Sequence, residues 1–358
     1  MSTLERIDEP PTPSTPVRPS RRGWLHGGWT RAGGLLVLVG LVVLVTLASI
    51  AIGTKSISPS VSLDALFTFD PTIDDHLIIR ELRIPRTVLG LMVGAALGLA
   101  GAVMQGVTRN PLADPGLLGV NSGAALGVVT GIFVFDVSSM FGNLWFAFAG
   151  AAVAGVAVYV LGAMGRGGAT PVKLAIAGAA LAALLSSFTA AFLLLDSATL
   201  DQYRFWAVGS TAGRDLTVAW QVLPFIAVGT VLAIGSSSSL NGLALGEDVS
   251  RSLGQRVGWV RAASAASVVL LCGAATAAVG PIAFVGLTVP HVARAVTGPD
   301  HRWLLPFSMC MGSILLLVAD IVGRVVARPG ELEVGIVTAF VGAPVFIAFV
   351  RRRKIAEL

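Results

Sequence analysis

Three arginines stand at the edges of long apolar runs: Arg83 and Arg86, which flank Pro85, and Arg324, four residues after Asp320. A guanidinium suits two-pronged contact with a carboxylate. Two readings follow. The charges pair within the chain, Arg80 with Glu81 or Asp320 with Arg324, which is weak if exposed. Alternatively they receive acidic groups of another molecule. A second charged set, Glu247, Asp248, Arg251 and Arg256, lies in LNGLALGEDVSRSLGQRVGWVR, residues 240–261. There Leu243, Leu245, Val249, Leu253 and Val257 space roughly as one helical face, broken near Gly246 and Gly254. Short amphipathic helices of this kind suit a groove on a partner protein or the membrane interface. The spacing alone favours neither.

Other chemistry is missing from the sequence. It has no His-Glu-x-x-His, no Gly-x-Ser-x-Gly, no Asp-rich diphosphate site and no Gly-x-x-x-x-Gly-Lys loop. A membrane enzyme is therefore disfavoured, and the chain is expected to bind no ATP of its own. His26, His76, His291 and His301 form no cluster with metal-ligand spacing, so no metal site is assigned. Cys272 and Cys310 lie in apolar segments without a Cys-x-x-Cys pair and read as small core residues.

The elements that carry these residues are expected to be membrane helices. The 358 residues are 54% hydrophobic and 13% charged, with a mean hydropathy of +0.82. A soluble domain has about 25% charged residues. The apolar residues come in continuous blocks of about 20, the length of a membrane-spanning helix, and do not alternate as barrel strands do. The net charge of +5 resides in loops and tails, which membrane topology explains better than nucleic-acid binding. Residues 1–31, rich in Pro, Ser, Thr and Arg, are predicted to be a disordered cytosolic tail, too long in its basic part for a cleaved signal.

Nine windows lack Asp, Glu, Lys and Arg, but the run from Ala262 to about Val296 is too long for one span and contains the helix-breaking pair Gly280-Pro281. Splitting it there gives ten spans, the eighth beginning near Pro281, with both termini cytosolic. This topology puts about two thirds of the 25 Lys and Arg inside, whereas nine spans would divide them almost evenly. Cytosolic loops then fall near 108–115, 165–174, 240–261 and 294–303. Outer loops fall near 54–86, 135–141, 196–216, 278–282 and 324–334.

Glycine recurs every fourth residue in two spans: Gly90, Gly94 and Gly98, then Gly119, Gly123, Gly127 and Gly131. The spacing puts small residues on one face, for close helix packing or, alternatively, along a conduit. The spans contain almost no ionisable residue before Asp320, which argues against an ion-coupled carrier. The turn Arg109-Asn110-Pro111-Leu112-Ala113-Asp114-Pro115-Gly116 is stiffened by two prolines.

The run RELRIPRTVLGLMVGAALGLAGAVMQGVTRNPLADPGLLGVNSGAALG, residues 80–127, resembles the signature of the FecCD permease family. LALGEDVSRSLG (243–254), GPIAFVGLTVPHVARAVTGPDHRWLLP (280–306) and ADIVGRVVARPGELEVGIVTAFVGAPVFIAFVRR (319–352) extend the likeness to about residues 35–353. The resemblance implies an all-α, ten-span permease domain over 32–353 in a bacterial plasma membrane. It would be the transmembrane subunit of a binding-protein-dependent ABC importer. The expected cargo is a ferric siderophore, with haem or cobalamin as alternatives. The implied partners are a second permease subunit, two ATPase subunits carrying ATP and Mg, and an extracytoplasmic binding protein. By the same resemblance, Glu247, Asp248, Arg251, Leu253 and Gly254 would contact the ATPase. Arg83, Arg86 and Arg324 would receive acidic residues of the binding protein. Asn110, Leu112 and Thr170 would lie near an inner gate, although a rigid turn explains any one of them as well. A single-chain ion-coupled carrier is the alternative from another class.

Overall fold

The computed structural model describes residues 23–25, 27–164 and 170–351, and every regular element among them is helical. The ten longest helices are α1 (Gly28–Ala51), α2 (Ile84–Thr108), α3 (Val120–Phe135), α4 (Met140–Ala163), α5 (Pro171–Leu195), α6 (Leu216–Gly235), α7 (Val257–Val279), α8 (Val285–Thr297), α9 (His301–Val326) and α10 (Val334–Arg351). Short helices occupy the connections, including Ser197–Ala207, Ser237–Ala244 and Glu247–Ser252. A π-helical turn, Ile78–Arg83, leads directly into α2.

Seven helices among the described residues are long and apolar enough to cross a bilayer: α1, the continuous helix that ends in α2, α4 to α7, and α9. Length and composition thus identify seven of the ten expected spans among the described residues. α3 has 16 residues and α8 has 13, which at ~1.5 Å per residue falls short of ~30 Å of hydrocarbon. The cause is local in α8. Gly280 takes φ 83° and Phe284 φ 67°, so residues 280–284 leave the helix. A side chain at Gly280 would also collide with the Trp206 carbonyl. The chain breaks at Gly280-Pro281 as expected, but the next helix begins at Val285 rather than near Pro281.

Several residues of the segment expected to be a disordered tail, 1–31, have defined positions. Trp24 and Leu25 donate backbone N–H groups to the carbonyls of Ala295 and Val296, at 3.3 and 3.0 Å, and α1 begins at Gly28. Residues 1–22, with Arg352, Arg353 and Lys354, lie outside the described residues.

The core is organised around two antiparallel pairs whose contact faces are glycine. Along α2 and α9, Gly90 meets Leu317, Gly94 meets Gly312 and Ser313, and Gly98 meets Ser308. A Cβ at Gly94 would lie 2.5 Å from the Gly312 carbonyl oxygen, and one at Gly98 would overlap the Ser308 carbonyl. The backbones touch, with no side chain between them. Ser313 adds a hydrogen bond from Oγ to the Leu91 carbonyl at 2.9 Å. Along α3 and α4, Gly123 and Gly127 meet Gly150 and the Phe146 carbonyl, and Gly131 meets the Phe146 ring. A neighbouring helix thus fills both glycine faces, leaving no space for a conduit there. Gly119 departs from the pattern: its φ is 69°, and it forms the turn before α3.

Inserting atoms into a closed contact typically costs about 1–3 kcal/mol. Gly94→Val is therefore expected to lower thermal stability in detergent, read by fluorescence-detected size exclusion. Gly40→Ala, at a position with nothing within 4 Å, is expected to leave it unchanged.

Candidate functional site: a buried arginine network and a projecting segment

α1 is largely uncovered, with only Val45 and Ser49 buried. Its last carbonyls have no partner within the helix and carry the negative end of the helix dipole. Arginines from other elements satisfy these carbonyls and those just beyond them. Arg83 Nη1 donates to the Ile50 and Ala51 carbonyls at 2.9 and 2.6 Å, and Nη2 donates to that of Lys55. Arg324 Nη1 donates to the carbonyls of Ser49 and Ile52 at 2.9 and 2.8 Å, and its Nη2 donates to Ser49 Oγ at 2.8 Å. Arg328 donates to the Gly53 carbonyl.

Asp320 ties this cap to α2. Its carboxylate accepts from Arg86 Nε at 2.8 Å and Thr211 Oγ1 at 2.7 Å, and pairs with Arg324 Nη2 at 2.8 Å. Arg86 Nη1 reaches on to Glu331 at 2.6 Å. Asp320 is 1% exposed and Arg324 is 2% exposed. A buried charge survives when opposite charges and hydrogen bonds surround it: Asp320 pairs with both Arg86 and Arg324, and Arg83 is held by backbone carbonyls. Arg83, Arg86 and Arg324, the expected docking points, hold these partners within the chain. All three are buried, because the carbonyl end of α1 and the Asp320 carboxylate need their donors more than water does. The pairing of Asp320 with Arg324, the alternative reading of these charges, is present and buried.

The backbone of the same end closes around this network. Ser210 donates its N–H to the Val279 carbonyl, and Gly335 donates to that of Gly209. In the adjoining loop, burial pulls the Arg214 guanidinium below its usual range, with Glu333 opposing.

The opposite end holds residues 240–261. Leu240, Leu243 and Val257 are buried, whereas Leu245, Val249 and Leu253 are exposed. The apolar face, expected to break near Gly246 and Gly254, thus divides between buried and exposed positions. Gly246, at φ 105°, turns the chain between Ser237–Ala244 and Glu247–Ser252 and directs the second helix outward. Glu247 accepts from Arg251 at 3.1 Å and pairs with the buried Arg261. Asp248 is fully exposed. Gly254 has φ 81° with nothing around it, so a side chain there would strain the backbone without meeting a neighbour.

The expected gate residues each bond within their own turn. Asn110 Oδ1 accepts from the Leu112 N–H at 2.9 Å, and Thr170 Oγ1 caps α5 through the Lys173 N–H at 3.4 Å. Asp114 Oδ1 accepts from the Gly116 N–H at 2.7 Å, and burial raises its carboxyl above the usual range. Ala169, expected beside Thr170, lies outside the described residues.

Residues 41–352 match the model of the FecCD transport family. The chain belongs to the FecCD transport family. It is 47% identical to the ferric enterobactin transport system permease protein FepD of Escherichia coli, over 90% of this chain and 96% of that one. It is 41% identical to a siderophore transport system permease protein, YfiZ, of Bacillus subtilis, over 89% and 95%. A solved metal-chelate type ABC transporter in an inward-facing conformation superimposes with a TM-score of 0.78 at 27% identity, covering 90% of this chain and 99% of that one. Like its FecCD relatives, the chain is a membrane permease.

Sequence reasoning missed Ser49, Thr211 and Glu331 as partners of the arginines. The only local signal was the four-residue spacing of Asp320 and Arg324. The other partners come from distant segments. Removing one member of a buried ion network leaves its partner's charge uncompensated, at a cost of about 3–5 kcal/mol. Asp320→Ala is therefore expected to lose most folded protein on extraction. Glu331→Gln, at the more exposed edge, is expected to retain it. The monodisperse fraction on size exclusion measures both.

Proposed function

We propose that this chain is the transmembrane subunit of a binding-protein-dependent ABC importer for ferric siderophores, energised by separate ATPase subunits. The observation that carries the reading is the projecting helix Glu247–Ser252 with its edge of exposed apolar side chains. Leu245, Val249 and Leu253 face outward while Glu247 is tied inward to Arg261. That arrangement suits a groove on a soluble partner.

In this reading the chain crosses the membrane ten times, with α3, α8 and α10 as short crossings and both termini in the cytosol. The gathering of 50–55, 83–86, 208–211, 279 and 320–335 at one end supports that topology. The basic ends supply the inward charge bias. Two such subunits, identical or related, line the pathway between them, and the chain needs no ATP site of its own.

The buried arginines hold the outer rim on which the loaded binding protein rests. Exposed Arg80 and Arg328 stand beside them on that rim. Arg80 lies over the Phe69 ring at 4.5 Å. Asn110, Leu112, Thr170 and the turn at Asp114 would border the inner mouth. Relatives named for ferric enterobactin, ferric citrate and ferric hydroxamates all carry iron(III) in oxygen-rich chelates. That favours a siderophore over haem or cobalamin.

Replacing Leu245, Val249 and Leu253 together by Ser removes the exposed apolar edge without touching the core. The variant is expected to reach the membrane in normal amount but to lose co-purification with the ATPase at least tenfold, together with uptake. Full association would overturn the assignment of this segment. Gly254→Val is expected to leave the ATPase bound while uncoupling hydrolysis from uptake, measured as chelate imported per ATP.

A further inference from the structure

We propose that Asn241 is a positioning residue that transmits movement of the 240–254 segment to α9, and through α9 to the buried arginine network at the other end. The proposal rests on the importer reading above. Asn241 lies on the short helix Ser237–Ala244, immediately before the projecting one. Its amide grips the start of α9 with three hydrogen bonds. Oδ1 accepts from the His301 backbone N–H and lies 2.9 Å from His301 Nδ1, while Nδ2 donates to Asp300 Oδ1 at 2.7 Å. Asp300 in turn caps α9 through the Arg302 N–H at 3.0 Å.

These contacts fix the protonation of the ring. The Asn241 nitrogen faces a carboxylate, so its oxygen faces the histidine, and Nδ1 must carry the proton. Nε2 then presents its lone pair, buried, against α2. It fits there because residue 106 is glycine: a Cβ would come within 2.6 Å of Nε2. His301 is thus wedged between the coupling segment and α2. The α2–α9 contact that begins at Arg86 and Asp320 ends at Gly106 and His301. α9 runs 26 residues, His301 to Val326, and carries both the Asn241 grip and Asp320 with Arg324. At ~1.5 Å per residue it bridges about 29 Å from His301 to Asp320 and about 35 Å to Arg324.

The grip is separable from the anchoring of the segment. Leu240 and Leu243, 0% and 3% exposed, hold the helix in the core whatever stands at 241. Asn241→Leu therefore removes the polar link and keeps the apolar one. Asn241→Asp places a second carboxylate against Asp300, and the double variant Asn241→Asp with Asp300→Asn restores an amide–carboxylate pair with the roles exchanged.

The test uses the full complex of permease, ATPase and binding protein in proteoliposomes, with radio-iron-labelled ferric enterobactin as probe. ATPase association, basal hydrolysis and iron imported per ATP are read separately. The expected result for Asn241→Leu and Asn241→Asp is normal association and basal hydrolysis with import per ATP reduced tenfold or more. The exchanged pair is expected to recover at least half. Either single variant retaining wild-type import per ATP overturns the proposal, as does an exchanged pair that assembles normally but stays uncoupled. A wild-type complex whose uptake is independent of ATP overturns the importer reading itself and this proposal with it, so the two failures are distinguishable.

Discussion

The direct backbone contact between α2 and α9 is the constraint on which the other features depend. With Gly94 against Gly312 and Gly98 against Ser308, the two helices have no side chain to act as a compressible layer. In lipid, where apolar burial between helices gains little, such close van der Waals contact is a main source of cohesion. It also fixes the register. Once Gly94 faces Gly312, Arg86 must face Asp320 at one end and Gly106 must face His301 at the other. The polar groups at the two ends are placed by the glycines between them.

The same pair explains how a poorly covered helix is held. α1 buries only Val45 and Ser49, so side-chain packing alone does little to orient it. Its carbonyl end is instead captured by Arg83, at the start of α2, and by Arg324 of α9. Arg83 and Arg86 are three residues apart, yet one serves α1 and the other serves α9. Asp320 keeps the two guanidiniums nearest it from repelling each other. An end of the bundle tied together this way is held without needing a large apolar core.

Much of this was legible in the sequence because it is periodic or local. Apolar runs gave the helices, the four-residue spacing of glycine gave the contact faces, and Gly280-Pro281 gave a true break. What escaped depends on distant segments or on backbone conformation. Whether Arg83 faces water or the core is decided by carbonyls about thirty residues earlier, which no spacing reports. The 240–261 segment reads as one apolar face only if the helix continues through Gly246. Its left-handed turn divides that face, burying Leu243 and exposing Leu245. Gly119 fits the four-residue spacing but forms a turn, because the short helix Pro115–Leu118 ends there. The family resemblance pointed to the right class of machine. It did not reveal the partners that Arg83, Arg86 and Arg324 find within the chain.

In the importer proposed here, the permease moves its cargo on energy supplied by a separate ATPase rather than by an ion gradient. The most direct measurement is uptake of labelled ferric enterobactin by vesicles containing this chain and its ATPase, with binding protein supplied on the outside. ATP inside and ion gradients across the membrane are varied independently. Uptake is expected to require ATP hydrolysis, to disappear when the ATPase is omitted and to be unchanged when proton and sodium gradients are collapsed. Uptake that continues without the ATPase and follows either gradient would contradict the proposal.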